Sequence, residues 1–124
     1  MNRFDTNRQA RRLVIDELAN RGYTVLETKN PLLVKSPSNL EFRLAVHGQR
    51  GKRDWPRHHP GMPNILAYMP CAGDAKFFIL SEGEAQTLHE AYHAQYPKNE
   101  DKTGGGFGRG NHYPFEGRWC TFPK

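Results

Sequence analysis

Two histidines and a glutamate in the second half of the chain have the spacing of a zinc-hydrolase motif. His89-Glu90-Ala-Tyr-His93 matches His-Glu-x-x-His, in which two histidines one helical turn apart bind zinc and the glutamate is a general base. His112 is a candidate for the third ligand. The motif is short enough to arise by chance, and the alternative is two solvated histidines on the flank of an amphipathic helix, beside an inward-facing Leu88. The sequence favours this second interpretation and leaves a zinc metallohydrolase as an alternative.

Positive charge is concentrated in two parts of the chain. The formal net charge is +5 and the pI is about 9.4, which favours an acidic partner over a purely solvated surface. Residues 48–63 carry four Lys/Arg against the single acid Asp54, and Trp55 offers a ring for base stacking. The second basic group is Arg3, Arg8, Arg11, Arg12 and Arg21. The candidate nucleic-acid-binding residues are Arg43, His47, Gln49, Arg50, Lys52, Arg53, Trp55 and Arg57.

Composition limits the class of protein. A chain of 124 residues is expected to form one domain around one core. Its 36% hydrophobic and 25% charged residues are ordinary for a soluble protein, and neither a spanning segment nor a signal peptide is recognisable. Cys71 and Cys120 lie far apart and are expected to be reduced. We therefore expect a cytoplasmic protein without a membrane partner.

Two helices are predicted from their caps and periodicity. The Thr-Asn-Arg-Gln pattern at 6–9 is a capping box and Gly22 is a stop signal, so a helix is expected over 7–21. The Ser-Glu-Gly-Glu pattern at 81–84 is a second capping box, which starts a helix over 82–96. Each helix carries apolar residues on one face, as expected of helices packed against a sheet.

Five strands are expected, at 23–27, 31–35, 40–47, 64–69 and 76–80. In the third, the alternation of apolar and polar residues predicts one apolar face and one polar face. The last two are nearly continuous apolar runs, which is typical of strands buried on both faces. Residues 48–63 are predicted to be a loop, 98–111 a flexible glycine-rich loop, and 112–119 an aromatic tail that packs back. The order predicts a single α/β domain with a mixed central sheet of about five strands.

Residues 8–122 resemble the PD-(D/E)XK, or restriction-endonuclease-like, nuclease superfamily. Pro31-Leu-Leu-Val-Lys-Ser-Pro-Ser is similar to the family's second strand, and Phe42-Arg-Leu-Ala-Val-His-Gly-Gln49 is similar to its third. The first helix, the run Lys76-Phe-Phe-Ile-Leu80 with its capped helix, and the aromatic closing segment also fit. The resemblance implies a restriction-endonuclease-like fold with helices flanking the sheet.

The same resemblance implies that the catalytic positions are degenerate. The family's metal-binding aspartate, strand acid and lysine correspond to Pro31, Ala45 and His47, and a helix glutamate would fall near Arg11 or Arg12. Such nucleases need carboxylates to hold Mg²⁺ and a lysine beside them, and alanine or proline cannot replace them.

Two side chains on the third strand leave a catalytic alternative open. Glu41 shares a strand face with Ala45 and His47, so it could be a displaced catalytic carboxylate. An ion pair with Arg43, or a solvated side chain, is the simpler expectation. His47 is expected to be half-exposed and to make a polar contact, with a base or ligand role as the alternative.

The combined expectation is a catalytically degenerate nuclease-like protein without a cofactor. It would bind nucleic acid, DNA in preference to RNA, or a nucleic-acid-processing complex through its basic surface. The alternatives are the zinc metallohydrolase above and a protein-binding inhibitor or accessory factor built on the same fold. The oligomeric state is not predicted.

Overall fold

A computed structural model describes residues 3–50, 59, 61–70, 73–95 and 116–124. Its helices and strands are α1 (Arg3–Asn20), β1 (Thr24–Glu27), β2 (Leu32–Lys35), β3 (Glu41–Gln49), β4 (Asn64–Tyr68), β5 (Lys76–Leu80), α2 (Glu82–Gln95) and a short 3-10 helix (Trp119–Thr121). The strands form one sheet in the order β1-β2-β3-β4-β5. The pair β3–β4 is parallel and the other pairs are antiparallel, which confirms the predicted α/β class with a mixed five-stranded sheet.

Helix α1 covers one face of the sheet through a stripe of apolar residues. Ala10, Val14 and Leu18, four residues apart, are fully buried. The helix ends at the predicted stop signal Gly22, in a Schellman motif. Gly22 has φ +88°, the Tyr23 amide donates to the Leu18 carbonyl at 2.9 Å, and the Gly22 amide donates to the Ala19 carbonyl at 3.1 Å.

The predicted start of α1 was wrong. The helix begins at Arg3, so the capping-box pattern at 6–9 lies inside it and not at its start. Thr6 contacts the sheet, since its carbonyl oxygen lies 2.9 Å from where a Cβ at Gly48 would stand. A first turn that packs against a strand gains tertiary contacts, and these outweigh a local cap signal.

The two faces of the sheet bury separate apolar clusters. The larger lies beneath α1 and includes Leu44, Val46 and Ile79. The smaller joins Leu66, Phe78 and Leu80 to Ala85 of α2, with Leu88 packed against it. Both β4 and β5 therefore contribute to both faces, which confirms the prediction of strands buried on two sides.

The predicted polar face of β3 was only partly correct. Glu41 and Arg43 are exposed, but Ala45 and His47 on the same face are buried, and Leu40, expected on the apolar face, is 51% exposed. The strand also continues to Gln49, two residues into the predicted loop. The cause is the parallel partner β4, which begins opposite Ala45 and covers only the second half of β3.

Both hydrogen bonds of the second predicted capping box are present. The Glu84 amide donates to Ser81 Oγ at 3.2 Å, and the Ser81 amide donates to Glu84 Oε1 at 2.9 Å. Glu84 also pairs with Arg118 at 2.8 Å, so the start of α2 is connected to the C-terminal segment.

The C-terminal segment packs on the sheet, as predicted for the part that is described. Glu116 bridges to Phe78, and Phe122 is 3% exposed in a ring cluster with Tyr23, Phe42 and Trp119. The glycine-rich loop predicted at 98–111, residues 112–115 of the aromatic tail and Cys71 lie outside the described residues. No helix in the described part of the chain is long and apolar enough to cross a bilayer.

Candidate functional site

The three positions that the sequence resemblance aligns with catalytic residues, Pro31, Ala45 and His47, lie close together on the sheet. Leu32 stands opposite Leu44, so Pro31, one residue earlier, lies level with Ala45, and His47 follows two residues along the same face. None of the three carries a carboxylate or an ammonium group. Within the described residues no cluster of three or more His, Cys, Asp or Glu side chains is placed to hold a metal ion.

His47 is buried, which corrects the expectation of a half-exposed side chain. It is 6% exposed, and its Nε2 lies 2.9 Å from Oδ1 of Asn64, the fully buried first residue of β4. The ring of His59 stacks on it at a centroid distance of 5.7 Å and an interplanar angle of 22°. The strand pattern had placed His47 on a half-exposed face, but His59 and Asn64, 12 and 17 positions later in the chain, enclose it.

Asn64 determines which tautomer of His47 is present. Asn64 Nδ2 donates to the carbonyl oxygens of His59 and Met62, both at 2.9 Å, which fixes the orientation of the amide. Asn64 Oδ1 is therefore an acceptor, and it accepts from the His59 amide at 2.9 Å and from His47. Because a carbonyl oxygen cannot donate, the proton of neutral His47 is on Nε2.

Burial lowers the pKa of His47 to about 4. Loss of solvent around the ring is the largest cause, and the nearby His59 lowers the pKa further, while the hydrogen bond with Asn64 raises it. His47 is therefore neutral at physiological pH. It adds no positive charge to a phosphate-binding surface there, although it was a candidate for one.

Of the two outcomes expected for Glu41, an ion pair with Arg43 or a solvated side chain, the structure shows the solvated side chain. Arg43 pairs with Glu27 of β1 instead, with Nη1–Oε1 and Nη2–Oε2 distances of 3.3 Å. Glu41 is exposed and stands opposite Lys35 on β2. Glu27 is level with Arg43 through Leu33 of the intervening strand β2, so the long Arg43 side chain reaches it across β2.

Arg50 and the N-terminal half of α1 meet at one end of the sheet. Arg50 donates to Gln9 Oε1 of α1, and the Gly48 amide donates to Asn7 Oδ1 at 3.2 Å. Arg8 and Arg12, one helical turn apart, are exposed on either side of Gln9. The N-terminal half of α1 therefore lies beside the point where the chain leaves β3 for the basic stretch 51–58.

The described arginines outside the N-terminal half of α1 and Arg50 differ from these in forming ion pairs. Arg21, Arg43 and Arg118 each pair with a glutamate, at 3.4, 3.3 and 2.8 Å. Arg21 also lies over the Trp119 ring at 4.4 Å from its centroid. In the described part of the chain, Arg8, Arg11, Arg12 and Arg50 form no ion pair.

The other predicted binding residues are distributed differently. Gln49 is tied into the fold, since its carbonyl accepts from the Met69 amide at 2.8 Å and its Oε1 accepts from the Arg50 amide at 3.0 Å. Arg43 lies six residues from Gln49 on the same strand, about 20 Å away, and does not join the surface around Arg50. Lys52, Arg53, Trp55 and Arg57 lie outside the described residues.

The helical setting of the His-Glu-x-x-His motif is confirmed. His89 and His93 fall within α2, one turn apart. Their side chains and His112 lie outside what the structure describes, so the zinc site stays a prediction.

Two asparagines were missed by the sequence analysis. Asn64 was read only as the start of an apolar strand. Asn30 donates through Nδ2 to the Val46 carbonyl and accepts through Oδ1 from the Val46 amide, both at 3.0 Å. Its side chain therefore pairs with β3 two residues beyond Leu44, where the β2–β3 register ends. A polar residue at the first position of an otherwise apolar run, as in Asn64-Ile-Leu-Ala, was the available signal.

Comparison with known proteins identifies no family for this chain, so its class is described by its fold. No protein-family model, curated protein or solved structure gives a significant match to this chain. The fold and the site thus define an α/β domain with a mixed five-stranded sheet, a buried His–Asn pair and, at one sheet end, arginines that form no ion pair among the described residues.

Proposed function

We propose that this chain is a nuclease-like protein that has lost its catalytic residues and binds the phosphate backbone of nucleic acid, with DNA as the first candidate. The observation that carries the proposal is the meeting of α1 and β3 at Arg50 and Gln9. It joins arginines from two distant parts of the sequence on one surface. Because they have no acidic partner in the described part of the chain, an anionic ligand is their natural counter-charge.

The degenerate positions support binding without cleavage. Ala45 and His47 are buried, and the Nε2 proton of His47 is used by Asn64. A PD-(D/E)XK scaffold with Pro31, Ala45 and His47 at the ligand positions has no carboxylates to hold Mg²⁺. Incubation of plasmid and linear DNA with Mg²⁺ or Mn²⁺ is therefore expected to give no cleavage by the purified protein.

The binding experiment is a salt titration with a fluorescein-labelled DNA duplex, followed by anisotropy. Each neutralised phosphate contributes about 0.9 to the slope of log K against log salt concentration. The double variant Arg8→Ala/Arg12→Ala is expected to bind about tenfold more weakly and to reduce that slope by about 2. Single-stranded RNA of the same length tests the preference for DNA.

A charge-matched control is available at the opposite end of the sheet. Lys35 ends β2, and the carbonyl of Lys124 accepts from Ser38 in the β2–β3 turn. Lys35→Ala/Lys124→Ala removes the same two charges and is expected to leave the slope nearly unchanged. Equal effects of the two double variants would reject the proposed surface, and an absence of binding to DNA and RNA would favour a protein partner instead.

A further inference from the structure

The contact between α1 and the end of β3 is made by two neutral side-chain amides. Asn7 Oδ1 accepts from the Gly48 amide at 3.2 Å, and Gln9 Oε1 accepts from Nη2 of Arg50. Because a guanidinium can only donate, the oxygen of the Gln9 amide is the atom that faces Arg50. Gln9 is exposed and Arg50 is partly exposed, so this hydrogen bond lies at the protein surface.

Arg50 differs from the ion-paired arginines in the chemistry of its partner. Arg21, Arg43 and Arg118 are held by glutamates, whose carboxylates orient the guanidinium and also neutralise its charge. A glutamate at position 9 would have nearly the same shape as Gln9 and would accept a stronger, charge-assisted hydrogen bond. With the amide in its place, the guanidinium of Arg50 is oriented but keeps its full positive charge.

The guanidinium of Arg50 also carries donors that the described part of the chain does not use. Of its five N–H groups, one donates to Gln9, and the one on Nε is buried without an acceptor among the described residues. A buried donor without a partner costs free energy, so an arginine that served the fold alone would be expected to have its donors satisfied. The remaining donors are suited to phosphate oxygens, whose geometry matches the arginine fork.

We propose that Gln9 is a positioning residue for phosphate binding, which orients the Arg50 guanidinium and, as a neutral acceptor, leaves its charge to a phosphate of the nucleic acid. The inference rests on the function proposed above and adds the residue that keeps this surface positively charged. Arg8 and Arg12, about 6 Å apart along the helix axis, are exposed on the same half of α1. Gln9 neutralises no phosphate itself, so it acts through Arg50.

The variant Gln9→Glu separates affinity from stability. The new carboxylate would pair with Arg50, so urea denaturation is expected to show a fold at least as stable as the native one. In the anisotropy titration with the labelled duplex, the same variant is expected to bind about tenfold more weakly, with the slope of log K against log salt reduced by about 1. Native affinity overturns the proposal, and so does weaker binding that comes with a lower urea midpoint.

Gln86→Glu is the matched control for the added negative charge. Gln86 lies on α2, which packs on the opposite face of the sheet from α1, and its side chain donates to Glu90 at 3.0 Å. The substitution is chemically the same, but it introduces the charge away from Arg50, so affinity and slope are expected to stay near native. If this variant weakens binding as much as Gln9→Glu does, the loss is an effect of net charge and the positioning role is rejected.

A double-mutant cycle tests whether Gln9 acts through Arg50. Gln9→Ala is expected to weaken binding about threefold with an unchanged salt slope, since Arg50 keeps its charge but loses its orientation. Arg50→Ala is expected to weaken binding about tenfold and to reduce the slope by about 1. In the Arg50→Ala background, Gln9→Ala should have no further effect. Losses that simply add would contradict the proposal.

The double variant Arg8→Ala/Arg12→Ala distinguishes a failure of this inference from a failure of the proposed function. If the native chain binds neither DNA nor RNA, the proposed function and the role of Gln9 fall together. If the native chain binds and the double variant weakens binding, while Gln9→Glu binds like the native chain, the phosphate-binding surface stands and only the role of Gln9 is rejected.

Discussion

At the scale of single residues, the buried pair His47 and Asn64 joins stability to pH. Asn64 fixes the Nε2–H tautomer, and burial lowers the pKa of His47 to about 4 from the ordinary 6.5. A buried imidazolium lacks the water that would stabilise its charge. The folded protein therefore holds His47 neutral under conditions in which the unfolded chain would protonate it.

The sign of the pH dependence follows from these two pKa values. Above pH 6.5 residue 47 is neutral in both states and contributes no pH dependence. As the pH falls from 6.5 towards 4, only the unfolded chain gains the proton, so the free energy of unfolding falls, by up to about 3 kcal/mol. Urea unfolding near neutral pH and at about pH 4.5 measures this loss.

His47→Leu isolates the contribution of this one residue. The variant and the native chain share all other titrating groups, so any difference in how their free energies of unfolding depend on pH is due to His47. The variant is expected to lose less stability between the two pH values, by about 2 to 3 kcal/mol. Parallel losses in the two proteins would show that His47 is accessible to protons in the folded state.

At the scale of secondary structure, α1 and β3 approach more closely than side chains usually allow. A Cβ at Gly48 would lie 2.8 Å from the Ala10 Cβ and 2.9 Å from the Thr6 carbonyl oxygen. This close approach brings Gln9 within reach of Arg50 and so forms the basic surface. The glycine is required there by the contact between two elements, not by its own backbone conformation.

Substitution of Gly48 tests this contact. Gly48→Ala is expected to destabilise the fold by about 1 to 3 kcal/mol, because the methyl group has no space between strand and helix. Gly83 is the control, since nothing lies within 4 Å of its Cβ position in α2, and Gly83→Ala should gain up to about 1 kcal/mol. Urea denaturation gives both values. Similar stabilities for the two variants would mean that α1 does not pack on β3 as described.

These elements also show what the sequence could predict. Local signals predicted the end of α1 at Gly22, the capping box of α2 at Ser81 and the buried runs of β4 and β5, because each depends on neighbouring residues. The burial of His47 depends on Asn64 and His59, and the meeting of Arg50 with Gln9 depends on packing across 41 residues. No periodicity within one segment carries that information.

At the scale of the whole molecule, the C-terminal segment returns to the beginning of the fold. The Tyr23 hydroxyl donates to the Pro123 carbonyl at 2.5 Å, and Phe122 makes edge contacts with Tyr23, Phe42 and Trp119 at centroid distances of 5.3 to 5.6 Å. Residues almost 100 positions apart thus share one core beneath α1. Their contact attaches the C-terminal segment to the core that α1 covers.

Truncation of Phe122 measures how far the fold depends on this return. Phe122→Ala removes a ring that is 3% exposed and leaves a cavity among aromatic side chains, so a loss of about 3 to 5 kcal/mol is expected in urea denaturation. Leu40→Ala is the matched apolar truncation, since Leu40 is 51% exposed and should cost less than about 1 kcal/mol. Because a small domain is stable by only about 5 to 15 kcal/mol, Phe122→Ala should be partly unfolded at moderate temperature. If both variants instead unfold at the same urea concentration, the C-terminal segment lies outside the cooperative core.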